Sequence, residues 1–285
     1  MKAAQKNRSY FQTDICKVSA GKIDAVQNDS LAVEEPLEIR LGFPINDKIE
    51  HKAISITMRT PGDDRELAAG FLFTEGIIKT PDQIAHIRHC GLPDKEKNIQ
   101  NTVVVELKEN IDIDLKRLER NFYTTSSCGV CGKSSIEALH TGAKKLEARR
   151  LKFKAELLHG LPDILRAAQN VFEQTGGLHA SALFNINGEL EIAREDVGRH
   201  NALDKVIGAK FLAGETPLAD KILLVSGRAS FELVQKALMA GIPVLAAVGA
   251  PSSLAVELAK EFGMTLAGFV RDERFNIYCG GERLV

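Results

Sequence analysis

The chain has 285 residues, of which 44% are hydrophobic and 26% charged, and its formal net charge is −1. These values exclude a chain that is disordered along most of its length. A near-neutral charge provides no general basic field, so no nucleic-acid partner is expected. No apolar run approaches the roughly 20 residues that span a bilayer, and the N-terminus lacks the apolar core of a secretory signal. We therefore expect a cytoplasmic protein without a membrane partner.

The N-terminal part of the chain predicts a strand-rich region with one helix. Residues 1–30 are polar and aperiodic, which indicates a flexible N-terminal arm. Strand-like patterns then occupy three segments, 31–42, 53–60 and 101–107. A helix is predicted to begin at Asp63-Asp64, because either carboxylate can cap its free amides. We expect a smaller strand-rich domain over residues 31–118.

From residue 119 to residue 285, strand and helix signals alternate and predict an α/β domain. Asn187-Gly188 separates two strand-like segments and is a strong hairpin signal. In the last third, strands are predicted over 221–226, 242–248 and 265–271, with helices over 229–241 and 252–263. Runs that are apolar throughout are typical of parallel strands covered on both faces. A single amphipathic helix is predicted over 161–174, ended by Gly176-Gly177.

The sharpest local feature is the pair Cys128-Gly-Val-Cys131, which precedes a predicted helix starting near Ser134. The free amides at a helix start favour an anion, so a thiolate there has a lowered pKa and is a better nucleophile. On spacing alone, the pair fits half of a zinc site, a redox or sulfur-carrying dithiol, or an inert buried pair. A zinc site would need further ligands from elsewhere, such as His179, His200 or Cys279.

Polar turns follow three predicted strands at their carboxyl ends. They are Ser226-Gly227-Arg228, Ala250-Pro251-Ser252-Ser253 and the stretch from Phe269 to Arg274. Ligands of open α/β sheets bind beyond the carboxyl ends of strands, and guanidinium groups clamp phosphates. Together the turns predict a nucleotide-like ligand with several phosphates. The usual GxxxxGK[ST] and GxGxxG loops are absent from the sequence, which does not support ordinary ATP or NAD binding.

Two further clusters have both a functional and a structural interpretation. His179 precedes a strand and is either a base or anion contact at the strand mouth, or a histidine that packs the site. The segment 194–201 holds several charged side chains around a strand-to-helix turn. It forms either a polar network that shapes a ligand pocket or a solvated turn.

Four separated motifs carry a family resemblance. They are Ser-Ser-Cys-Gly-Val-Cys-Gly-Lys at 126–133, Arg-Glu-Asp-Val-Gly-Arg-His-Asn at 194–201, Val-Ser-Gly-Arg-Ala-Ser-Phe-Glu at 225–232 and Ala-Pro-Ser-Ser-Leu-Ala at 250–255. In this order they resemble the formate dehydrogenase accessory sulfurtransferase (FdhD) family, from about Leu31 to the C-terminus. The resemblance implies an α/β fold: a cytidine-deaminase-like mixed sheet with flanking helices, plus a smaller strand-rich N-terminal α+β domain. It also implies a homodimer.

The resemblance further implies a sulfur carrier, a type of sulfurtransferase. A cysteine desulfurase would load sulfur as a persulfide on Cys128, with Cys131 assisting. The sulfur would then pass to the molybdenum cofactor, molybdenum bis(molybdopterin guanine dinucleotide), before that cofactor enters formate dehydrogenase. The cofactor-binding stretch of the family corresponds to Phe269, Val270, Arg271, Asp272, Glu273 and Arg274, and we add Arg228 and His179 as further contacts. The alternative function is a non-catalytic molybdenum-cofactor chaperone.

A zinc deaminase is disfavoured by the sequence. Zinc deaminases place a catalytic glutamate two residues after a metal-binding His or Cys. The same enzymes have a proline directly before a Cys-x-x-Cys pair, whereas here Ser127 precedes Cys128. His179 is followed by Ala180-Ser181, so the glutamate is absent. No tightly bound catalytic metal is therefore expected.

Overall fold

A computed structural model describes residues 9–45, 48–94, 99–109, 111, 143–147 and 151–285, and over these ranges the chain is a mixed α/β protein with three sheets. The strands are β1 Tyr10–Ser19, β2 Lys22–Ala32, β3 Glu35–Ile45, β4 Lys48–Arg59, β5 Ile84–His89, β6 Thr102–Leu107, β7 His179–Phe184, β8 Leu190–Asp196, β9 Ile222–Val225, β10 Val244–Ala247, β11 Thr265–Arg271 and β12 Arg274–Cys279. The α-helices are α1 Asp64–Thr74, α2 Leu157–Ala168, α3 Asn170–Thr175, α4 Arg199–Leu212, α5 Phe231–Met239 and α6 Ser253–Phe262. In these ranges no helix has both the length and the apolar character needed to cross a bilayer.

The N-terminal segment contains a hairpin that the sequence pattern did not reveal. Strands β1 and β2 pair antiparallel, from Tyr10 opposite Ala32 to Ser19 opposite Lys22, and form a sheet of their own. Most of their side chains are exposed on both faces. Strand periodicity is weak in such a sequence, because alternation arises only where one face is buried.

The predicted strand-rich region is a four-stranded sheet in the order β4-β3-β6-β5, with α1 beside it. The expected helix begins where predicted, but the expected cap is wrong. Asp63 lies in the left-handed region (φ 55°) and makes no capping side-chain bond. The Asp64 carboxylate instead accepts hydrogen bonds from the fully buried Arg59 guanidinium at 2.9 and 3.0 Å. Burying the Arg59 guanidinium without an anionic partner would cost more free energy than leaving the first amides of α1 without a side-chain cap.

The C-terminal sheet has six strands in the order β12-β11-β10-β9-β7-β8. The central strands β9, β10 and β11 are parallel, as predicted, and the outer pairs are antiparallel. The Asn187-Gly188 hairpin is confirmed as the turn between β7 and β8, with Gly188 at φ 81°. The single helix predicted over 161–174 is wrong, because Gln169 (φ −87°, ψ 79°) separates α2 from α3.

Helices cover both faces of this sheet, because alternate strand residues point to different apolar clusters. On one face, Leu223 and Leu245 pack with α4, α5 and α6, and this cluster continues through α1 into the four-stranded sheet. On the other face, Leu224 and Ala246 pack against α2. Helices α1 and α4 meet backbone to backbone at Gly70 and Gly208, where an added Cβ would overlap the opposite main chain. One core therefore joins the two sheets.

This topology brings several chain segments to one place. The carboxyl ends of β8, β9, β10 and β11 lie at the same edge as the amino ends of β7 and β12. We call this the carboxyl edge. It gathers the predicted ligand-binding turns.

Candidate functional site

Three loops of the carboxyl edge are held together by main-chain contacts. The Gly249 amide donates to the Gly227 carbonyl at 3.0 Å, and the Phe269 amide donates to the Gly249 carbonyl at 3.1 Å. A Cβ on Gly249 would lie only 3.0 Å from the Gly227 carbonyl and the Arg228 amide. Glycine at position 249 thus allows the loops after β9, β10 and β11 to meet. The expectation that these turns share one edge is confirmed.

The carboxyl edge also collects arginines without partners. In the part of the chain that the structure describes, no hydrogen bond or ion pair is formed by the guanidinium groups of Arg199, Arg228, Arg271 and Arg274. Arginines elsewhere in these ranges are engaged: Arg88 with Glu106 at 2.7 Å and Arg194 with Glu66 at 2.6 Å, for example. Unpaired guanidinium groups gathered at one edge favour an anionic ligand with several phosphates.

The β11–β12 turn places two of these arginines directly opposite each other. Arg271 and Arg274 are register partners in the antiparallel pair. Like charges at facing positions are destabilising unless an anion lies between them. Phe269 (φ 54°), near the end of β11, and Asp272 (φ 51°), in the turn, hold the left-handed conformation that residues other than glycine rarely adopt. The turn is therefore a constrained segment in which Asp272 and Glu273 balance the formal charge without forming an ion pair with either guanidinium.

Within the predicted cofactor-binding stretch, most side chains face solvent. The exposed ones are Phe269, Arg271, Asp272, Glu273 and Arg274. Val270 is fully buried in the core beside α2, so only its main chain can reach a ligand. Arg228, the predicted contact on the loop after β9, is also exposed.

His179 and His200 stand at the β7 and β8 side of the edge. The His179 ring packs on Gly227, where a Cβ would lie 3.4 Å from Nδ1. Burial lowers the pKa of His179, and the charge of Arg199 lowers it further. His200 Nε2 is 3.4 Å from Ser230 Oγ and 3.8 Å from Glu232 Oε2.

Burial lowers the pKa of His200 to about 4, and the charges of Lys236 and Arg199 act in the same direction. The pKa of each imidazole lies below 6.5, so both are mainly neutral at pH 7. A neutral imidazole can donate one hydrogen bond and accept another without adding charge to the site.

Asp196, Asn201 and Lys205 form a buried polar network, which is one of the two interpretations given above for the segment 194–201. The Lys205 ammonium is 2.8 Å from Asp196 Oδ2 and donates to the Thr60 carbonyl at 3.0 Å. The Asn201 side chain donates to Asp196 Oδ1 at 3.0 Å and to the Met58 carbonyl at 2.7 Å. The solvated-turn interpretation is thus wrong for this part of 194–201, and the network fixes the turn before α4 against β4.

The cysteine pair itself, Cys128 and Cys131, lies outside the described residues, as does the helix predicted near Ser134. Of the other zinc ligands considered, His179 lies at the carboxyl edge, whereas Cys279 pairs with Leu266 near the opposite end of the sheet. The structure therefore does not bring these two together. Within the described ranges, no three His, Cys, Asp or Glu side chains are grouped in a way that could hold a metal ion.

Comparison with known proteins places the chain in a family. The family model of FdhD/NarQ proteins matches residues 32–285. The chain belongs to the FdhD/NarQ family. The resemblance drawn from the four motifs is confirmed, and its extent agrees with the expected start near Leu31.

Relatives in this family are similar along nearly their whole length. The sulfur carrier protein FdhD of Streptomyces avermitilis is 53% identical over 259 residues, which cover 90% of this chain and 89% of that protein. The protein of the same name from Mycolicibacterium paratuberculosis is 50% identical over 272 residues, 95% of this chain and 97% of that one. A crystal structure from Desulfotalea psychrophila, described as a formate dehydrogenase accessory protein, superposes with a TM-score of 0.73 at 27% identity and covers 97% of this chain and 100% of that one.

Proposed function

We propose that this chain is a sulfur carrier required for formate dehydrogenase activity. It takes sulfur from a cysteine desulfurase as a persulfide on Cys128. It then transfers the sulfur to the molybdenum bis(molybdopterin guanine dinucleotide) cofactor before that cofactor enters formate dehydrogenase. The names of its relatives support the sulfur-carrying role. The observation that best supports the nucleotide-bearing acceptor is the set of unpaired arginines at the carboxyl edge.

The carboxyl edge suits the diphosphate and the guanine of such an acceptor. Arg271 and Arg274 can share one phosphate, which would remove their mutual repulsion, and Arg228 stands on the loop two strands away. The exposed ring of Phe269 offers an apolar face on which a guanine can stack. Because Gly249 and Gly268 lack side chains, the loops after β9, β10 and β11 pack closely and can form one surface for the ligand.

Sulfur loading requires one bond exchange at Cys128. The Cys128 thiolate attacks the terminal sulfur of the desulfurase persulfide, and a new S–S bond forms as the old one breaks. The desulfurase cysteine leaves as a thiolate, so the exchange needs no external oxidant or reductant. The predicted helix start and the hydroxyls of Ser126 and Ser127 would stabilise the anionic persulfide on Cys128.

Sulfur delivery can use the second cysteine. The Cys131 thiolate attacks the Cys128 sulfur, and the terminal sulfur leaves with the bonding electron pair, as sulfide, toward the acceptor. A Cys128–Cys131 disulfide remains, and a cellular dithiol must reduce it before the next cycle. Cys131 therefore acts as an assisting residue in this proposal, while Cys128 carries the sulfur.

Three further parts of the proposal follow from the family resemblance. The protein works in the cytoplasm and as a homodimer. Its six-stranded sheet and flanking helices correspond to a cytidine-deaminase-like domain. A non-catalytic chaperone that only holds the cofactor is the second candidate, and the same unpaired arginines favour it.

Mass spectrometry of the intact chain separates these candidates. After incubation with a cysteine desulfurase and cysteine, we expect the wild type to gain the mass of one sulfur atom. Cys128→Ala should gain none, whereas Cys16→Ala, which alters an exposed cysteine on β1, should behave as the wild type. A wild type that binds GDP but gains no sulfur would favour the chaperone. Equal sulfur on Cys128→Ala would exclude Cys128 as the carrier.

A further inference from the structure

Arg199 differs from the arginines on the loops after β9 and β11. It is the first residue of α4, and its Nε is enclosed without a hydrogen-bond partner in the described chain. Its guanidinium forms no ion pair within these ranges. An enclosed guanidinium donor without a partner is unusual in a folded protein, because burial removes the water that would otherwise bind it. A ligand that accepts a hydrogen bond would satisfy this donor.

Two carboxylates in the region of Arg199, Asp196 and Glu232, have contacts with other groups. Asp196 accepts from Lys205 and Asn201 within the buried network. The Glu232 carboxylate interacts with the Ser230 hydroxyl at the start of α5 and stands 3.8 Å from His200 Nε2, and the charge of Arg199 acts on it without an ion-pair contact. The positive charge of Arg199 is therefore not balanced by a contact ion pair.

Two imidazoles share the surroundings of Arg199. His200 follows Arg199 in α4, and His179 lies opposite Asp196, three residues before Arg199, in the β7–β8 pair. The charge of Arg199 lowers the pKa of both rings. The other charged groups that influence His200 are Lys236 and Glu232, and Lys236 is paired with Asp204 at 2.9 Å. Arg199 is thus a cation without a contact ion pair in the described chain, in the region of two imidazoles that are mainly neutral at pH 7.

This cluster lies at a distance from the β11–β12 turn. Two strands, β10 and β9, separate β11 from β7, where His179 begins. Neighbouring strands are about 4.8 Å apart, so the ends of β11 and β7 are separated by about 14 Å. A ligand that engages both places must be extended, or must present two anionic groups.

We propose that Arg199, flanked by His179 and His200, is a second anion-binding subsite of the carboxyl edge. In the proposed function this anion is a further phosphate of the nucleotide ligand. The identity of the anion rests on that function, whereas the subsite itself does not. A guanidinium fork supplies the charge, and the imidazole N–H groups supply hydrogen bonds to the same anion.

Inorganic phosphate tests the subsite independently of sulfur chemistry. We expect phosphate to shift the NMR signals of His179 and His200 in the wild type, assigned with His179→Gln and His200→Gln. Arg199→Gln should abolish these shifts and Arg199→Lys should keep part of them. Arg88→Gln, which removes an exposed charge from the four-stranded sheet, should keep them in full. If phosphate leaves both histidines of the wild type unchanged, the subsite does not exist.

Two measurements on Arg199→Gln connect the subsite to the nucleotide ligand. A fall in GDP affinity of about tenfold or more, with normal sulfur loading of Cys128, assigns the subsite to a phosphate. Unchanged GDP affinity would show that the nucleotide ligand does not use the subsite. If neither property changes, Arg199 has no role in the function. A wild type that gains no sulfur would contradict the proposed carrier function and would leave the phosphate result standing.

Discussion

Arg271 stands directly opposite Arg274 across the β11–β12 pair, and neither guanidinium has a partner in the described chain. Facing like charges cost stability on the order of 0.5 kcal/mol. We expect Arg271→Gln to raise the free energy of unfolding of the ligand-free protein by about that amount, measured by urea denaturation. The same variant should bind GDP about tenfold more weakly in calorimetric titration, because a charge-assisted phosphate contact is lost.

Arg88→Gln is the matched control for Arg271→Gln, because it also replaces an exposed arginine by glutamine. Arg88 lies on β5 and pairs with Glu106 at 2.7 Å, so its removal should leave GDP affinity unchanged and should not increase stability. A ligand-free Arg271→Gln protein that is less stable than the wild type would contradict the idea that the arginine pair is retained for binding.

Phe269 holds a left-handed main chain while its ring faces solvent. We expect Phe269→Gly to be more stable than Phe269→Ala by about 1 kcal/mol in urea denaturation, because only glycine adopts this conformation without a steric cost. Both variants should bind GDP more weakly than the wild type, since both lack the ring. Equal stability of the two variants would show that the turn relaxes when the ring is removed.

The contact between Gly70 and Gly208 predicts a strong effect of one methyl group. Gly70→Ala would push its Cβ into the main chain of α4, so we expect a loss of about 3 kcal/mol in the free energy of unfolding. Gly160→Ala is the control: position 160 is in α2 with open space around it, and alanine there should stabilise by about 0.5–1 kcal/mol. If both variants were equally stable, the two helices would have to separate at little cost.

Local sequence pattern was sufficient for the central part of the fold. The continuous apolar runs of β9, β10 and β11 predicted parallel strands, and parallel strands necessarily place Arg228 and Arg271 at one edge. The β1–β2 hairpin escaped prediction because its side chains are exposed on both faces and leave little periodicity. The break at Gln169 escaped because the apolar spacing continues through it.

Residues of the candidate site could be predicted from the sequence where they follow a predicted strand end or belong to a sequence motif. The turn from Phe269 to Arg274 could be located from a strand end and a motif. The role of Arg199 could not, because it depends on which carboxylates are already engaged. In the fold, Lys205 forms an ion pair with Asp196, and no local sequence pattern predicts that pairing. The charged strand-to-helix turn over 194–201 was the only local signal for Arg199.

His200 gives the stability of the protein a predictable dependence on pH. Its pKa falls from 6.5 to about 4 in the folded chain, chiefly through burial. Between these values the unfolded chain binds more protons than the folded one, so the free energy of unfolding rises with pH. The stabilising contribution of neutral His200 is therefore complete above about pH 6.5 and is lost progressively as the pH falls toward 4.

Replacing this imidazole removes its contribution to the slope. We expect His200→Gln to flatten the rise in unfolding free energy between pH 4 and 6.5, measured by urea denaturation at several pH values. His86→Gln, at an exposed position on β5, serves as the control and should keep the wild-type slope. Arg199→Gln should move the His200 titration in NMR to higher pH, because the Arg199 charge opposes protonation of the ring. An unchanged slope in His200→Gln, together with an unchanged titration in Arg199→Gln, would mean that His200 is protonated as freely as in the unfolded chain.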